Sequence, residues 1–216
     1  MEIYDTEEEQ VAAIKRWWKE NGSSTIAGIV VGIVGILGWD FWQSYNVDKA
    51  NQASALYEEL QKSGDKDNLD SVEKITERLT TNYKSTAYAD FATLQLVKVK
   101  VQQGDLDAAK SLLEQLVKGA GSSEIKHVAR LRLIKLLIAT DQNEQGLQLI
   151  AEVNQASSEG FNASYNELKG DLYVALDRLG EARTAYQSAL REGAQSPLLQ
   201  FKLDDITSAE IINTAS

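Results

Sequence analysis

Cysteine and histidine, two residues that often act in enzyme active sites, are scarce in this 216-residue sequence. It contains no cysteine, which excludes disulfides, a thiolate nucleophile and sulfur-ligated metal sites. His127 is the single histidine, so it has no second histidine with which to bind a metal and no ordinary triad to join. Its place between Lys126 and Val128 on a predicted amphipathic helix indicates a solvated or hydrogen-bonded structural role. No cofactor is expected.

Adjacent carboxylates are the remaining candidates for acid–base catalysis, and they form the pairs Glu58 with Glu59 and Asp204 with Asp205. Neighbouring residues on a helix point about 100° apart, so the members of a pair do not converge on one substrate. No glycine-rich phosphate loop or metal-ligand spacing accompanies either pair. We therefore expect a protein that is not an enzyme and has no small-molecule substrate.

The charge of the chain limits its partners further. The formal net charge is −10, and residues 40–216 carry 19 Lys and Arg against 26 Asp and Glu. Such a surface repels nucleic acid and anionic lipid headgroups, and no cluster of Lys or Arg compensates. Nucleic acid is therefore not an expected partner.

The longest uncharged stretch lies between Glu20 and Asp40, where the nineteen residues 21–39 carry no ionised side chain. As an α-helix they would be about 28 Å long, close to the thickness of a bilayer core. A transmembrane helix, a buried helix of a soluble protein and a cleaved signal peptide all fit this length. The residues on either side separate these three interpretations.

Aromatic residues flank the uncharged stretch at both ends. Indole rings prefer the headgroup zone of a membrane, and a soluble helix has no need of such flanks. A signal peptide would end in small residues just after the apolar run, where this chain has Asp40 and Phe41 between bulky indoles. We predict an uncleaved anchor. Its membrane-interface residues are all four tryptophans of the chain: Trp17, Trp18, Trp39 and Trp42.

The basic residues predict the orientation of the anchor. Lys15, Arg16 and Lys19 precede the span, whereas only Lys49 follows it within a comparable distance. The flank richer in Lys and Arg stays in the cytoplasm. We therefore expect a single-pass protein with a cytoplasmic N-terminus.

Glycines lie along one face of the predicted span. Gly28 and Gly32 form a GxxxG pair, and Gly35 lies a further turn along. Small residues allow a second transmembrane helix to approach closely, which makes these three glycines candidates for a transmembrane contact. The alternative is that glycine is simply common in such helices.

After residue 45 the sequence is helical almost throughout, and a repeat organises it. The positions Val72, Ala109, Gly146 and Ala182 are 37, 37 and 36 residues apart, and each occupies the same place in an amphipathic i, i+3, i+7, i+10 pattern. A fixed period of this length predicts stacked helical hairpins.

This period resembles that of the tetratricopeptide repeat, in which a small residue stands where the two helices of a hairpin cross. The earlier units are degenerate, with Val72 in place of the small residue. The last unit matches the repeat pattern best, through Gly170, Tyr173, Ala182, Tyr186 and Ala189. We expect an all-α fold with a single N-terminal transmembrane helix followed by a tetratricopeptide-like helical-hairpin solenoid.

The predicted domains follow from these patterns. They are a cytoplasmic arm (1–20), a transmembrane helix (21–42), a tetratricopeptide-like domain on the opposite side of the membrane from that arm (43–206) and a frayed tail (207–216).

Four stretches together resemble a known family. They are the opening MEIYDTEEEQVAAIKRWWKENG, the glycine-containing span, the exit GWDFWQSYNVDKANQASALY and the closing PLLQFKLDDI. These stretches resemble the YfgM family of Gram-negative bacteria, which are ancillary subunits of the SecYEG translocon. The resemblance covers nearly the full length of the chain.

The resemblance implies a cell inner-membrane protein with a periplasmic C-terminal domain. It also implies association with SecYEG and with the membrane-anchored periplasmic chaperone PpiD, so that emerging, unfolded secretory proteins meet a chaperone. An alternative that the family suggests is negative regulation of the RcsB-dependent envelope stress response.

The tetratricopeptide resemblance also suggests a binding face, because the first helices of its hairpins line a concave groove. No carboxylate-capturing clamp is expected, since Leu94, Leu131 and Glu167 stand where that clamp needs Lys or Arg. The alternative is that the apolar members form core and the charges a solvated face. The candidate groove residues are Phe91, Leu94, Lys98, Val128, Leu131, Lys135, Ser164, Glu167 and Asp171.

Val31 lies near the middle of the predicted span, so the substitution Val31→Arg tests the membrane assignment. Each of the eight Ile, Val and Leu residues of the span contributes roughly −0.3 to −0.6 kcal/mol to insertion, whereas a central Arg costs roughly 2.5 to 3.5 kcal/mol. We expect Val31→Arg to leave the protein in the soluble fraction or degraded, with Val31→Leu as the control. Full recovery of Val31→Arg in membranes after an alkaline wash would contradict the assignment.

Overall fold

The computed structural model describes residues 7–64, 69–154, 158–194 and 197–214. These residues form nine α-helices and contain no β-strand, which confirms the predicted all-α fold class. The helices in chain order are α1 (Glu7–Gly64), α2 (Leu69–Asn82), α3 (Ala87–Gln102), α4 (Leu106–Gly119), α5 (Ser123–Ala139), α6 (Asn143–Ala151), α7 (Asn162–Ala175), α8 (Leu179–Arg191) and α9 (Pro197–Thr214).

The chain divides into two compact units between Asn51 and Gln52, and each is described by itself. The boundary falls inside α1, which is one helix from Glu7 to Gly64. No glycine or proline interrupts residues 45–63, so nothing in the sequence there removes a backbone donor or favours another conformation.

The first unit contains the apolar part of α1. An 18-residue window of this helix has a mean hydropathy of 1.8, and none of that window is buried. Val31 and Ile36 are 72% and 70% exposed. A helix this apolar in the core of a soluble protein would bury these side chains, so its exposure favours a helix that crosses a membrane.

The second unit is a stack of helical hairpins in which helices pack mainly on their neighbours along the chain. α3 packs on α4, α5 on α6 and α7 on α8, while α5 and α7 also pack on each other. The opening hairpin joins the end of α1 to α2 through a cluster that includes Leu60 and Leu79. At the other end α9 packs on α8 and buries Leu199. This is the predicted repeat solenoid, in which each unit buries its apolar face on the next.

Three successive hairpins share the same turn geometry. The first helix of each ends with a residue in the left-handed region, namely Gly104 (φ 79°), Asp141 (φ 56°) and Asp177 (φ 56°). The backbone N–H of the following residue donates to the carbonyl five residues back, at 2.8 to 2.9 Å. This is the Schellman motif, which satisfies carbonyls that the ending helix leaves without an intrahelical donor.

The four positions that define the repeat period all lie in the interior. Val72, Ala109 and Ala182 are 1% exposed or less, and Gly146 is also buried. The chain places a larger residue at the first of them, in the hairpin nearest α1. Each of the four comes from the second helix of its hairpin.

Two glycines allow close contacts inside the stack. A Cβ at Gly146 of α6 would lie 2.6 Å from Leu172 Cδ2 of α7. A Cβ at Gly170 of α7 would overlap the ring of Tyr186 of α8, which is 2% exposed. Tyr173 is half-buried beside the same α8 and α9 cluster, and Ala189 is fully buried in it. Gly170 and Tyr186 of the tetratricopeptide pattern therefore lie where α7 and α8 are in close contact.

Replacement of Gly170 by alanine tests this contact. The aromatic ring cannot shift cheaply, so overpacking of about 1–3 kcal/mol should outweigh the helix-propensity gain of about 1 kcal/mol. We expect Gly170→Ala to lower the urea midpoint of the full-length protein in detergent, followed by far-UV circular dichroism. Gly180→Ala is the matched control because nothing lies within 4 Å of that Cβ, and it should keep or raise the midpoint. Equal stability of both variants would show that Tyr186 moves aside.

Candidate functional site

A cavity of about 830 Å³ lies between α3 and α5, the first helices of two consecutive hairpins. Four predicted groove residues line it: Phe91, Leu94 and Lys98 from α3 and Val128 from α5. Leu94 is almost buried and forms part of the floor, whereas Phe91 is 39% exposed. Phe91 and Val128 lie at equivalent positions one repeat apart, and Leu94 and Lys98 follow Phe91 at i+3 and i+7 on the same face of α3.

One end of the cavity is aromatic. The ring of Tyr57, from the last turns of α1 within the second unit, lies 6.1 Å from the ring of Phe91 and 5.8 Å from that of Tyr88. Asp90 also lines this end and accepts a hydrogen bond from the Gly121 backbone N–H at 2.9 Å. That bond links α3 to the loop before α5 and stabilises this wall of the cavity.

The opposite end is basic, and a second cavity of about 400 Å³ continues along the next turns of α3 and α5. Lys98 and Arg132 line both cavities, and Lys135 joins the second. Arg132 Nη1 donates to the Leu94 carbonyl at 3.3 Å. Within the described residues, none of these three cations forms an ion pair with a carboxylate.

The remaining groove candidates lie elsewhere in the stack. Leu131 is half-buried and packs on the cluster around Ile134 and Leu168. Ser164 is exposed in the first turn of α7. Glu167 and Asp171 of α7 point toward α9, where their side chains meet Lys202. The structure thus divides the other eight candidates between the cavities, the packing between α5 and α7, and the surface of α7 that contacts α9, while Ser164 lies in none of these three places.

Lys202 of α9 bridges two carboxylates of α7. Its Nζ lies 2.9 Å from Glu167 and 2.8 Å from Asp171, and the Tyr186 hydroxyl donates to Asp171 at 2.8 Å. Burial by itself lowers the pKa of Lys202, but the carboxylates outweigh it and the pKa is raised. Its stabilising charge is therefore present at neutral pH and lost only as pH rises through that raised value. Burial raises the pKa of Tyr186, and Asp171 adds to this effect.

Sequence reasoning missed Arg132 and Lys202. Arg132 follows Val128 by four residues and so shares its helical face, which is a signal that the sequence does contain. Lys202 lies 35 residues from Glu167, in the terminal helix, and no local pattern relates the two. Only the packing of α9 on the last hairpin brings them together.

Three of the residues considered for catalysis, Glu58, Asp204 and His127, have structural partners. Glu58 accepts a hydrogen bond from Lys62 one turn along, and Asp204 accepts one from Gln200. His127 is 4% exposed, with Nδ1 2.8 Å from the Tyr165 hydroxyl and its ring stacked 4.9 Å from Phe161. These contacts join α5 to α7. Within the described part of the chain, no group of three His, Cys, Asp or Glu side chains could hold a metal ion.

The candidate membrane residues lie on the first unit. A Cβ added at Gly28, Gly32 or Gly35 would meet nothing within 4 Å, so this face of α1 is open. The tryptophans pair at each end of the apolar stretch, with ring centroids 6.3 Å apart for Trp17 and Trp18 and 5.3 Å apart for Trp39 and Trp42. All four indoles are more than half exposed.

Comparisons with known proteins cover both units of the chain. Residues 15–208 match the family described as a tetratricopeptide repeat-like domain. A relative from Haemophilus influenzae is 32% identical over 94% of this chain and 99% of its own length. Relatives from Escherichia coli and Aggregatibacter actinomycetemcomitans are 28% and 29% identical, over 96% and 93% of this chain and 100% and 97% of their own lengths. Each relative is named "Ancillary SecYEG translocon subunit".

The substitution Lys202→Met tests the bridge between α7 and α9. It leaves Glu167 and Asp171 side by side without a cation, in a site where all three side chains are about a quarter exposed. We expect a loss of about 1–3 kcal/mol in the free energy of unfolding.

Lys62→Met is the matched control for this bridge. Its partner Glu58 is one turn away on the same helix and both side chains are about 70% exposed, so stability should change little. Urea unfolding of the full-length protein in detergent measures both variants. If Lys202→Met behaved like Lys62→Met, α9 would be held by its apolar contacts alone.

Proposed function

The chain belongs to the tetratricopeptide repeat-like family that includes the ancillary SecYEG translocon subunits compared above, and we propose that it serves as such a subunit in its own cell. In this proposal it is a non-enzymatic scaffold anchored in the inner membrane by one span. Its solenoid binds protein partners on the periplasmic side. It links secretory proteins that emerge from the translocon to the chaperone network, with PpiD as the chaperone partner.

The extent of the shared architecture supports this proposal most directly. The alignment with the Haemophilus influenzae relative takes in 94% of this chain and 99% of the relative, so the apolar helix and the solenoid are both part of what is shared. A solenoid alone would be compatible with many binding functions. The combination of an anchor and a solenoid in one chain narrows the site of action to a membrane surface.

The orientation is part of the proposal. Lys15, Arg16 and Lys19 precede the span and Lys49 follows it, which favours an N-terminus in the cytoplasm. The proposed boundaries are a cytoplasmic arm at 1–20, the span at 21–42, the periplasmic domain at 43–206 and a tail at 207–216. The described part of α9 continues to Thr214, within that tail.

Two contact surfaces follow from this arrangement. The open face of Gly28, Gly32 and Gly35 would lie against a transmembrane helix of the translocon, since glycines let helix backbones approach closely. The exposed indoles of the four tryptophans would hold the span at both membrane interfaces. The cavities between α3 and α5 would receive a periplasmic protein.

A set of affinity purifications in mild detergent tests the proposal. The intact protein should copurify with SecYEG subunits and with PpiD. A version with the span replaced by an unrelated transmembrane helix should lose SecYEG if the glycine face makes that contact, and keep PpiD if the solenoid binds it. Copurification with neither partner would refute the proposal. Recovery of RcsB-pathway components alone would favour the regulatory alternative.

Substitutions within the native span sharpen this test. Gly28→Leu with Gly32→Leu fills the open face, whereas Val30→Leu with Val34→Leu changes other positions of the same helix and serves as the matched control. We expect only the glycine variant to reduce SecYEG recovery. Equal recovery with both pairs would place the translocon contact outside this face.

A further inference from the structure

The two cavities between α3 and α5 form a trough along successive turns of the same two helices. The first is lined from Ala87 to Lys98 of α3, and the second from Val97 to Gln102. Lys98 and Arg132 belong to both linings, so the cavities meet at these cations. From Phe91 to Val101 the trough follows ten residues of helix, or about 15 Å.

Three exposed cations lie together at the centre of the trough: Lys98, Arg132 and Lys135. Several other basic residues of the solenoid pair with a carboxylate: Lys62 with Glu58, Lys100 with Glu73, Arg178 with Glu181, and Lys202 with Glu167 and Asp171. Lys98, Arg132 and Lys135 are exposed and have no such partner among the described residues. Three neighbouring cations in one trough, none of them neutralised by a carboxylate of the described chain, form a local positive site that complements an acidic group of another molecule.

Apolar surface lies on both sides of these cations. Phe91, Leu94 and Val128 line the trough on one side, and Val101 and Leu136 line it on the other. Phe91 and Val101 are 39% and 44% exposed, which leaves apolar area available for a partner. A ligand that fits must therefore present apolar groups on either side of a carboxylate.

Three classes of acidic ligand could meet the cations, and the central position of the cations favours one of them. A C-terminal carboxylate would end its chain at the cations and leave one of the two cavities empty. A polyanion such as a nucleic acid would meet Asp90 and Glu124, which line the far end of the same trough. An acidic side chain inside a polypeptide lets the chain continue into both cavities.

An extended polypeptide matches the length of the trough. Side chains at i, i+2 and i+4 of an extended strand lie on one face, and four steps of about 3.3 Å cover about 13 Å. One apolar side chain, one acidic side chain and a second apolar side chain at this spacing would reach both cavities and the cations between them.

We propose that the trough between α3 and α5 binds an extended protein segment with an apolar residue at i, Asp or Glu at i+2 and an apolar residue at i+4. The carboxylate meets Lys98, Arg132 and Lys135, and the apolar side chains enter the two cavities. This inference rests on the proposed function, in which the solenoid binds protein, and it adds the chemistry of the bound segment.

Labelled synthetic peptides test this specificity against the full-length protein in detergent micelles, by fluorescence anisotropy. The probe is a peptide of about ten residues with the core Leu-Ser-Asp-Ser-Phe and both ends blocked. We expect its affinity to exceed that of the Asp→Asn peptide about tenfold, since an ionised partner strengthens each hydrogen bond, and to fall with added salt. A peptide with the core Ser-Leu-Asp-Phe-Ser keeps the composition but turns its apolar side chains to the other face, and should bind more weakly.

Variants of the trough identify the site of binding. Lys98→Gln, Arg132→Gln and Lys135→Gln should each weaken the Asp peptide, whereas Lys118→Gln, at an exposed position in the last turn of α4, should not. Lys98→Glu should reverse the preference toward a peptide with Lys in place of Asp. A purely structural role for Lys98 would not produce that reversal. Circular dichroism and the urea midpoint check that each variant is folded.

Several results would overturn the inference. These are equal affinity for the Asp and Asn peptides, equal loss of affinity in Lys118→Gln, or tighter binding of a peptide whose only carboxylate is its free C-terminus. Copurification of SecYEG is measured with the same preparations. If it persists while the peptides fail, only the peptide specificity is wrong; if it is absent while the peptides bind, the proposed site of action is wrong.

Discussion

A helical hairpin of the described solenoid cannot bury its apolar face without a neighbouring hairpin. Each has one stripe of Leu, Val, Ile and Ala that must be covered by the next hairpin, and the described helices accordingly pack in chain order from α2 to α9. The requirement is strictest where α7 and α8 meet, because the Tyr186 ring lies against the backbone at Gly170. The stack also needs a cover at its free end. α9 provides it with Leu199 and Ile206 on the apolar side and Lys202 on the charged side.

The last turns of α1 and its apolar middle differ in how far their side chains are buried. Its last turns bury Ala53 and Leu60 in the first hairpin, as any solenoid helix would. Its apolar middle is different, because none of its most hydrophobic window is buried among the described residues. A bilayer covers such a surface without a protein partner. The alignments with the relatives cover both parts of the chain.

The charge on the surface of the solenoid depends on which charged side chains form ion pairs within the fold. Lys202 of α9 neutralises Glu167 and Asp171, so these two candidate groove residues are already paired within the chain. Lys98, Arg132 and Lys135 are left facing the trough. An overall acidic domain thus presents a local basic site. Local pairing, more than net charge, sets what such a surface attracts.

Sequence alone was enough to identify the helical period, the uncharged span and its aromatic flanks, because each depends on residues near one another in the chain. The period also set Phe91, Leu94 and Lys98 of one repeat against Val128, Leu131 and Lys135 of the next, and four of these six line the first cavity: Phe91, Leu94, Lys98 and Val128. The sequence did not predict contacts between residues that are far apart in the chain. Lys202 meets Glu167, and the Tyr165 hydroxyl meets His127, only because helices about 35 residues or more apart are packed together.

The sequence by itself therefore determined the all-α class, the apolar span and the repeat, since periodicity and composition are local properties. Only the tertiary structure decided which charges are neutralised and which remain available. For Glu167 and Asp171 that outcome depends on how α9 docks on α7 and α8. The free energy of docking depends on side-chain shapes at Gly170, Tyr186 and Leu199, which no one-dimensional pattern records.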